Sequence, residues 1–204
     1  MMQSPLDAFD RRNLLTYVSL LCGMIAVAGA VDGSAPIAGM AIAAAVVADT
    51  FDGRFARLFN SSLERREIGI QLDSLADVVA FGVAPVLCAI LLADPHGLLP
   101  RAMLWSSAFV YVASAMTRLA FFNVRTVAGP SAEFIGVPVP VAALIWSSTL
   151  LAHPASVVTA LVILTSAAGM VAPLRISRPR GFGLAVFTCW PLAVLIGHLL
   201  AVSS

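Results

Sequence analysis

The stretch that decides the fold and the chemistry runs from residue 49 to residue 77 and reads DTFDGRFARLFNSSLERREIGIQLDSLAD. It places four aspartates at the ends of two long apolar runs. Asp49 and Asp52 have the i,i+3 spacing of one helix face, and Asp73 and Asp77 have the equivalent i,i+4 spacing. If the two apolar runs form a helical hairpin, the four carboxylates can converge. The stretch therefore predicts two neighbouring helices that share one acidic site.

Carboxylates that gather in an apolar setting need cations or protons to offset their charge. Hard divalent cations prefer oxygen ligands, and two of them about 3.5–4 Å apart assist displacement at phosphorus. Small side chains at Gly53, Ala56 and Gly69 would let a phosphate approach the backbone closely. We therefore predict a metal-dependent site for phosphoryl or phosphatidyl transfer at a membrane edge. The alternative is a set of structural polar contacts between membrane helices.

The composition is that of a membrane protein. The chain has 204 residues, of which 60% are hydrophobic and 11% are charged. Its mean hydropathy is +0.95, which no soluble domain of this size reaches. We predict an all-α polytopic membrane protein that forms a single domain over residues 1–204. The net charge of +1 and the absence of any nucleic-acid motif predict no nucleic-acid partner.

The apolar runs predict a bundle of about seven transmembrane helices, with six to eight compatible with the pattern. Residues 1–12 are polar with a few apolar side chains, and we expect a short interfacial segment there. We expect the first apolar run to be retained, because no clear small-residue cleavage site follows it. The predicted spans are about 13–31, 35–58, 69–92, 102–122, 138–151, 155–173 and 182–202, and the second and third carry the aspartates.

The arginines predict the orientation of these spans. All twelve basic residues are arginines, and all but Arg101 fall in segments that seven spans place on one side. By the positive-inside rule that side is cytosolic, and the four aspartates lie at its edge. These arginines are Arg11, Arg12, Arg54, Arg57, Arg65, Arg66, Arg118, Arg125, Arg175, Arg178 and Arg180. We interpret the three histidines, His96, His153 and His198, as loop or interface residues of the opposite side.

The motif Asp52-Gly53-x-x-Ala56-Arg57, followed by Gly69-x-x-x-Asp73-x-x-x-Asp77, resembles the signature of the CDP-alcohol phosphotransferase family. The run from Leu72 to Pro85 is similar to that of its membrane-embedded bacterial and archaeal phosphatidylserine synthases. Three further segments resemble the same subgroup. They are Asn13-Leu-Leu-Thr16 with Cys22-Gly23, Arg118–Val124 with Phe134–Pro140, and Met170-Val171 with Arg175 and Ser177. One departure is the connector of eleven residues between Arg57 and Gly69, where the family usually has eight or nine.

The resemblance implies transfer of a phosphatidyl group from CDP-diacylglycerol to the hydroxyl of L-serine, with release of CMP. It implies Asp49, Asp52, Asp73 and Asp77 as ligands of two divalent ions, Mg²⁺ or Mn²⁺, and Asp77 as the catalytic base. It further implies a homodimer. From the arginine distribution we expect the protein to lie in the cytoplasmic (inner) membrane with its active site facing the cytosol. The residues expected to bind CDP-diacylglycerol are Gly53, Ala56, Arg57 and Gly69, and those expected to bind serine are Arg118, Asn123 and Arg125.

Two other functions are compatible with the same residues. One is an enzyme of the same family that uses glycerol-3-phosphate, inositol phosphate or choline as the acceptor. A phosphorylated acceptor should need extra cationic residues at the site, and the chain has few to spare. The other is a cation transporter, because carboxylates within a membrane also mark ion pathways. The clustering of the carboxylates at one edge argues against transport, as does the absence of two matching halves with broken helices.

Overall fold

The computed structural model describes residues 4–59, 62–93, 95–127, 133–177 and 182–203. Two short 3-10 turns, Pro5–Ala8 and Arg11–Asn13, lead into the first helix. Seven helices follow one another along the described chain. They are α1 Leu14–Val31, α2 Ala35–Ala56, α3 Leu63–Ala93, α4 Leu98–Val127, α5 Val139–Leu150, α6 Ser156–Val171 and α7 Phe182–Ser203.

The prediction of an all-α membrane protein is confirmed. Among the described residues, four helical stretches are long and apolar enough to cross a membrane: Arg11–Val31, Ala35–Ala56, Leu63–Ala93 and Leu98–Arg125. The helices Val139–Leu150 and Ser156–Val171 and the stretch Thr188–Val202 are apolar but shorter. The seven predicted spans thus correspond to seven described helices.

The two helices that carry the aspartates differ from the predicted boundaries. α2 ends at Ala56 rather than 58, and α3 begins at Leu63 rather than 69. The early start of α3 has a local cause, because the Ser62 side chain accepts a hydrogen bond from the backbone N–H of Arg65 and caps the helix. The charged residues 64–67 therefore form the exposed first turns of α3 rather than a loop, and the true connector is only a few residues long.

The helix bundle is built around α2, which packs against α1, α5 and α7. Its buried face is made mainly of alanines, such as Ala38, Ala41 and Ala45, so that neighbouring helices can approach closely. A similar close approach joins α1 to α3, where a Cβ on Gly23 would lie 2.8 Å from the Cα of Ala80. Small residues thus bring α1, α2 and α3 together at the aspartates.

A π-helical segment, Val78–Val83, interrupts α3 directly after Asp77. Such segments are rare and are frequently found at functional sites. They disturb the regular ladder of backbone hydrogen bonds, and here the Tyr111 hydroxyl of α4 donates to the carbonyl oxygen of Phe81 at 3.1 Å. Tyr111 is itself fully buried. The contact holds the irregular turn of α3 against α4.

A small antiparallel pair of strands, β1 Glu133–Ile135 and β2 Arg175–Ser177, is the one addition to the all-α prediction within the described ranges. The pair joins the segments that follow α4 and α6, with Phe134 opposite Ile176. Gly136 adopts a φ of +72°, and its N–H donates to the carbonyl of Leu174. A glycine is required there because a side chain would collide with the backbone of Met170.

The interpretation of His198 as a loop or interface residue is wrong. Its side chain is 1% exposed, inside α7. The ring nitrogen Nε2 lies 2.9 Å from the carbonyl oxygen of Ser147 on α5 and 3.3 Å from its hydroxyl. The His198 ring packs directly against Gly39 of α2, where the Cβ of any other residue would collide with the ring. His198 therefore links three helices, whereas His96 and His153 are exposed residues between helices, as expected.

Candidate functional site

Three carboxylates meet where the C-terminal part of α2 faces α3. One oxygen of each of Asp49, Asp73 and Asp77 lies within 4.8 Å of the corresponding oxygens of the other two. Asp73 and Asp77 stand one helical turn apart on α3, which is why they share a face. The predicted convergence of carboxylates is therefore present in the structure for these three residues.

Asp52 lies beside this group rather than within it. It follows Asp49 by one turn of α2 and is 8% exposed. Its Oδ2 accepts a hydrogen bond of 2.6 Å from the hydroxyl of Thr16 on α1. Its other oxygen, Oδ1, is buried without a hydrogen-bond partner in the described part of the chain. Asp52 still interacts electrostatically with Asp49 and Asp73, and its side chain is also hydrogen-bonded to that of Asp73.

Arg118 supplies positive charge next to the aspartates. It lies on α4, is 7% exposed and interacts favourably with the charge of Asp77. One guanidinium cannot balance four neighbouring carboxylates, and buried charges without compensation are costly. The all-oxygen donor set is the kind that Mg²⁺ and Mn²⁺ prefer. The residues present thus fit divalent cations.

Three buried side-chain polar atoms lack a hydrogen-bond partner within the described ranges: Ser19 Oγ, Asp52 Oδ1 and Arg118 Nε. Buried polar groups are nearly always paired, so each of these atoms needs an explanation. Asp52 is an acceptor beside the acidic group, and Arg118 is a donor beside Asp77. The unpaired atoms therefore point to a site that can take both a cation and an anionic group.

The other two residues that the sequence associated with serine lie near the C-terminal end of α4. Asn123 is half-buried, and its side-chain amide donates to the hydroxyl of Ser74 at 2.8 Å, which places it beside Asp73. Arg125 is exposed, and its guanidinium lies 5.5 Å from the ring centre of Phe121 on its own helix. The structure thus brings Asn123 to the acidic helix and leaves Arg125 at the surface.

The residues associated with CDP-diacylglycerol line the ends of α2 and α3. Gly53 is exposed, and its carbonyl oxygen accepts a 2.9 Å hydrogen bond from Nε of Arg57. Ala56 is half-buried at the end of α2. A Cβ on Gly69 would lie only 3.2 Å from Oδ1 of Asn13, so a larger residue would press on the start of α1. The rim of the site is therefore made of small residues, exposed at Gly53 and closely packed at Gly69.

Several polar contacts that hold this rim were not predicted from the sequence. Nε of Arg12 donates to the carbonyl oxygen of Ala56 at 3.1 Å, which supplies a cation at the C-terminus of α2. Arg65 forms a 3.2 Å salt bridge with Asp10, so the N-terminal turns also contact α3. Thr16 could have been found as a hydroxyl inside an apolar run. The pairing of Asp10 with Arg65 leaves no signal in the sequence.

The fold and the acidic cluster define an integral membrane protein with a carboxylate site suited to divalent cations. The model of the CDP-alcohol phosphatidyltransferase family matches residues 12–172. That match includes the N-terminal contacts from Arg12 onward, the aspartates of α2 and α3, and Arg118 and Asn123 of α4. The chain belongs to the CDP-alcohol phosphatidyltransferase family.

Similar proteins carry names that refer to serine. The chain is 38% identical over 142 residues to the CDP-diacylglycerol–serine O-phosphatidyltransferase of Helicobacter pylori, a match that covers 70% of this chain and 56% of that protein. It is 30% identical over 183 residues to the archaetidylserine synthase of Methanothermobacter thermautotrophicus, covering 84% of this chain and 71% of that protein. The chain thus spans little more than half the length of the Helicobacter relative.

Proposed function

We propose that this protein transfers the phosphatidyl group of CDP-diacylglycerol to the hydroxyl of L-serine and releases CMP. The observation that carries the proposal is the meeting of Asp49, Asp73 and Asp77 within 4.8 Å in a chain of this family. The names of the two relatives support serine as the acceptor: one is a CDP-diacylglycerol–serine O-phosphatidyltransferase and the other an archaetidylserine synthase. Residues 1–204 would work as a single catalytic domain.

Asp49, Asp52, Asp73 and Asp77 would hold two divalent ions, Mg²⁺ or Mn²⁺. Two observations support this assignment: the oxygen-only donor set and the unpaired, buried Oδ1 of Asp52. When bound, such ions neutralise the diphosphate of the donor lipid and stabilise the phosphate oxygen that leaves with CMP.

Asp77 is the best candidate for the base that takes the proton from the serine hydroxyl. It is 9% exposed, lies in the acidic group and has Arg118 as its nearby cation. The hydroxyl oxygen of serine would attack the phosphorus of the phosphatidyl group as this proton moves to the carboxylate. The bond from phosphorus to the CMP oxygen breaks in the same transfer. A base must lie within hydrogen-bond reach of the proton that it takes, and the position of Asp77 in the cluster supports that role.

Serine brings a carboxylate that must be paired when it enters an apolar site. Arg118 supports this pairing because its buried Nε has no hydrogen-bond partner in the described residues. Asn123 could exchange its bond to Ser74 for one to the amino acid. Arg125 is exposed and would act at the entrance. A planar guanidinium is well suited to bind a carboxylate through two hydrogen bonds.

The donor lipid would lie against the small residues Gly53, Ala56 and Gly69, whose lack of bulk would let the diphosphate approach the helix backbone. Arg57 could turn from its bond to the Gly53 carbonyl toward a phosphate, because that bond is exposed. The arginine distribution supports a site that faces the cytosol from the cytoplasmic membrane. Arg178 and Arg180, which contribute to that distribution, lie outside the described residues. The homodimer implied by the family resemblance remains a proposal.

The test is CMP release by purified protein in detergent with CDP-diacylglycerol, serine and Mg²⁺ or Mn²⁺. Asp77→Asn should lower the rate at least about 10²-fold, as expected for loss of a general base, while CDP-diacylglycerol binding is largely retained. Glu67→Gln removes an exposed carboxylate of the same helix and should leave the rate unchanged. Full activity of Asp77→Asn would show that the base is a different residue.

A further inference from the structure

The first helix contributes a polar face to a site whose sequence motif lies entirely on the next two helices. Thr16 is 3% exposed, inside an otherwise apolar stretch of α1. Its Oγ1 donates to Oδ2 of Asp52 over 2.6 Å. The bond is short for a hydroxyl that donates to an oxygen. The contact therefore fixes one of the two oxygens of Asp52.

The other oxygen of Asp52 has a different environment. Oδ1 is buried and has no hydrogen-bond partner among the described residues. A carboxylate whose two oxygens differ in this way has a defined orientation, because rotation of the group would break the bond to Thr16. Carboxylates that bind metal ions are commonly held by such an outer hydrogen bond.

The surroundings of Thr16 show that this face of α1 borders the site rather than the apolar core alone. Ser19 lies three residues further along the same face, is 2% exposed and has a hydroxyl without a hydrogen-bond partner in the described chain. Gly23, one turn beyond, packs against Ala80, three residues after Asp77. The Thr16 face of α1 thus lies along both helices that carry the aspartates.

We propose that Thr16 is a positioning residue of the acidic site: it holds Oδ2 of Asp52 and so leaves Oδ1 free for a divalent cation. This role of Thr16 depends on the proposed function in one respect, because both take the aspartates as cation ligands. Removal of an outer partner of a metal ligand typically lowers metal affinity about 10–100-fold. The same loss is expected here, because Asp52 would become free to rotate.

Three variants separate this role from simple packing. Thr16→Val keeps the shape of the side chain and removes the hydroxyl, and Thr16→Ser keeps the hydroxyl. Thr159→Val makes the same chemical change at a buried threonine of α6, whose hydroxyl bonds the carbonyl of Ala155. Mn²⁺ binding to the purified protein would be measured from the electron paramagnetic resonance signal of free Mn²⁺. The same variants would be assayed for CMP release as a function of Mn²⁺ concentration.

Thr16→Val should weaken Mn²⁺ binding about tenfold or more, and Thr16→Ser should restore it to within about threefold. Thr159→Val should bind Mn²⁺ as the unmodified protein does. In a protein that already carries Asp52→Asn, Thr16→Val should change the Mn²⁺ affinity by less than about twofold. The carboxylate that Thr16 holds is already absent from that protein. If Thr16→Val does not fold, as judged by thermal unfolding in EDTA, Thr16→Ala replaces it in the same comparison.

Unchanged Mn²⁺ affinity in a folded Thr16→Val protein would overturn the proposal, as would a loss of the same size in Thr159→Val. Failure of Thr16→Ser to restore binding would also overturn it. These results are distinct from a failure of the proposed function. Mn²⁺ binding that depends on Thr16, without CMP release from CDP-diacylglycerol and serine, would contradict the reaction and leave the role of Thr16 intact.

Discussion

Replacement of Asp73 by asparagine should stabilise the metal-free protein even though it removes a proposed ligand. Asp73 lies within 4.8 Å of both Asp49 and Asp77, measured between carboxylate oxygens. Two like charges at that distance repel by about 0.9 kcal/mol at the dielectric constant of water and by about 3.5 kcal/mol at an effective value of about 20. At alkaline pH, where all three carboxylates are ionised, Asp73→Asn relieves two such repulsions, so we expect a gain of about 2 kcal/mol or more under that condition.

The assay is thermal unfolding in detergent at alkaline pH, with EDTA and with Mg²⁺ or Mn²⁺. For a chain of this size, about 1 kcal/mol corresponds to roughly 2–4 °C in the midpoint. Asp73→Asn should therefore unfold about 4 °C or more above the unmodified protein in EDTA. In the presence of the metal the order should reverse, because the unmodified protein gains stability from the ion and the variant has lost a ligand.

Glu67→Gln is the matched control, since it removes one exposed carboxylate from the same helix. It should change the midpoint by less than about 1 °C in either buffer, as surface substitutions usually do. The reasoning would be refuted if Asp73→Asn lowered the midpoint in EDTA and kept the full metal-induced rise. That result would mean that the three carboxylates neither repel one another nor share a cation.

Three further predictions concern contacts around the site. Tyr111→Phe should destabilise the protein by about 1–3 kcal/mol in thermal unfolding, because it leaves the buried Phe81 carbonyl without its donor. The control Tyr17→Phe, at a half-buried tyrosine, should destabilise the protein less than Tyr111→Phe does. Asp10→Asn should cost at most about 1 kcal/mol, because its salt bridge with Arg65 is partly exposed, and the loss should shrink in high salt. Asn123→Ala should raise the KM for serine more than the KM for CDP-diacylglycerol. Equal changes in both KM values would contradict a role of Asn123 in serine binding.

Much of this architecture could be predicted from the sequence because the membrane leaves few alternatives. A long apolar run must form a helix that satisfies its own backbone hydrogen bonds, so the seven helices follow from hydropathy alone. The meeting of Asp49 with Asp73 and Asp77 follows from helical spacing and a short connector. The start of α3 at Leu63 was harder to predict, because the polar residues 64–67 suggest a loop unless the capping by Ser62 is recognised.

Other features could not have been predicted, because they depend on which helices become neighbours. The bond from Thr16 to Asp52 joins residues that are 36 positions apart, and nothing local marks either as the partner of the other. The burial of His198 depends on the space that Gly39 leaves on α2. The π-helical turn after Asp77 needs a donor from α4 to satisfy the Phe81 carbonyl. Each of these is a consequence of tertiary packing.

The central claim, phosphatidyl transfer to serine, is tested most directly by measuring CMP release from CDP-diacylglycerol with a panel of acceptors. The purified protein would be given serine, glycerol-3-phosphate, inositol phosphate, inositol or choline, each with Mn²⁺ or Mg²⁺ and with EDTA. The account predicts release with serine only, abolished by EDTA. Metal-dependent release with a different acceptor would contradict the roles given to Arg118, Asn123 and Arg125. No release with any acceptor would contradict the reaction itself.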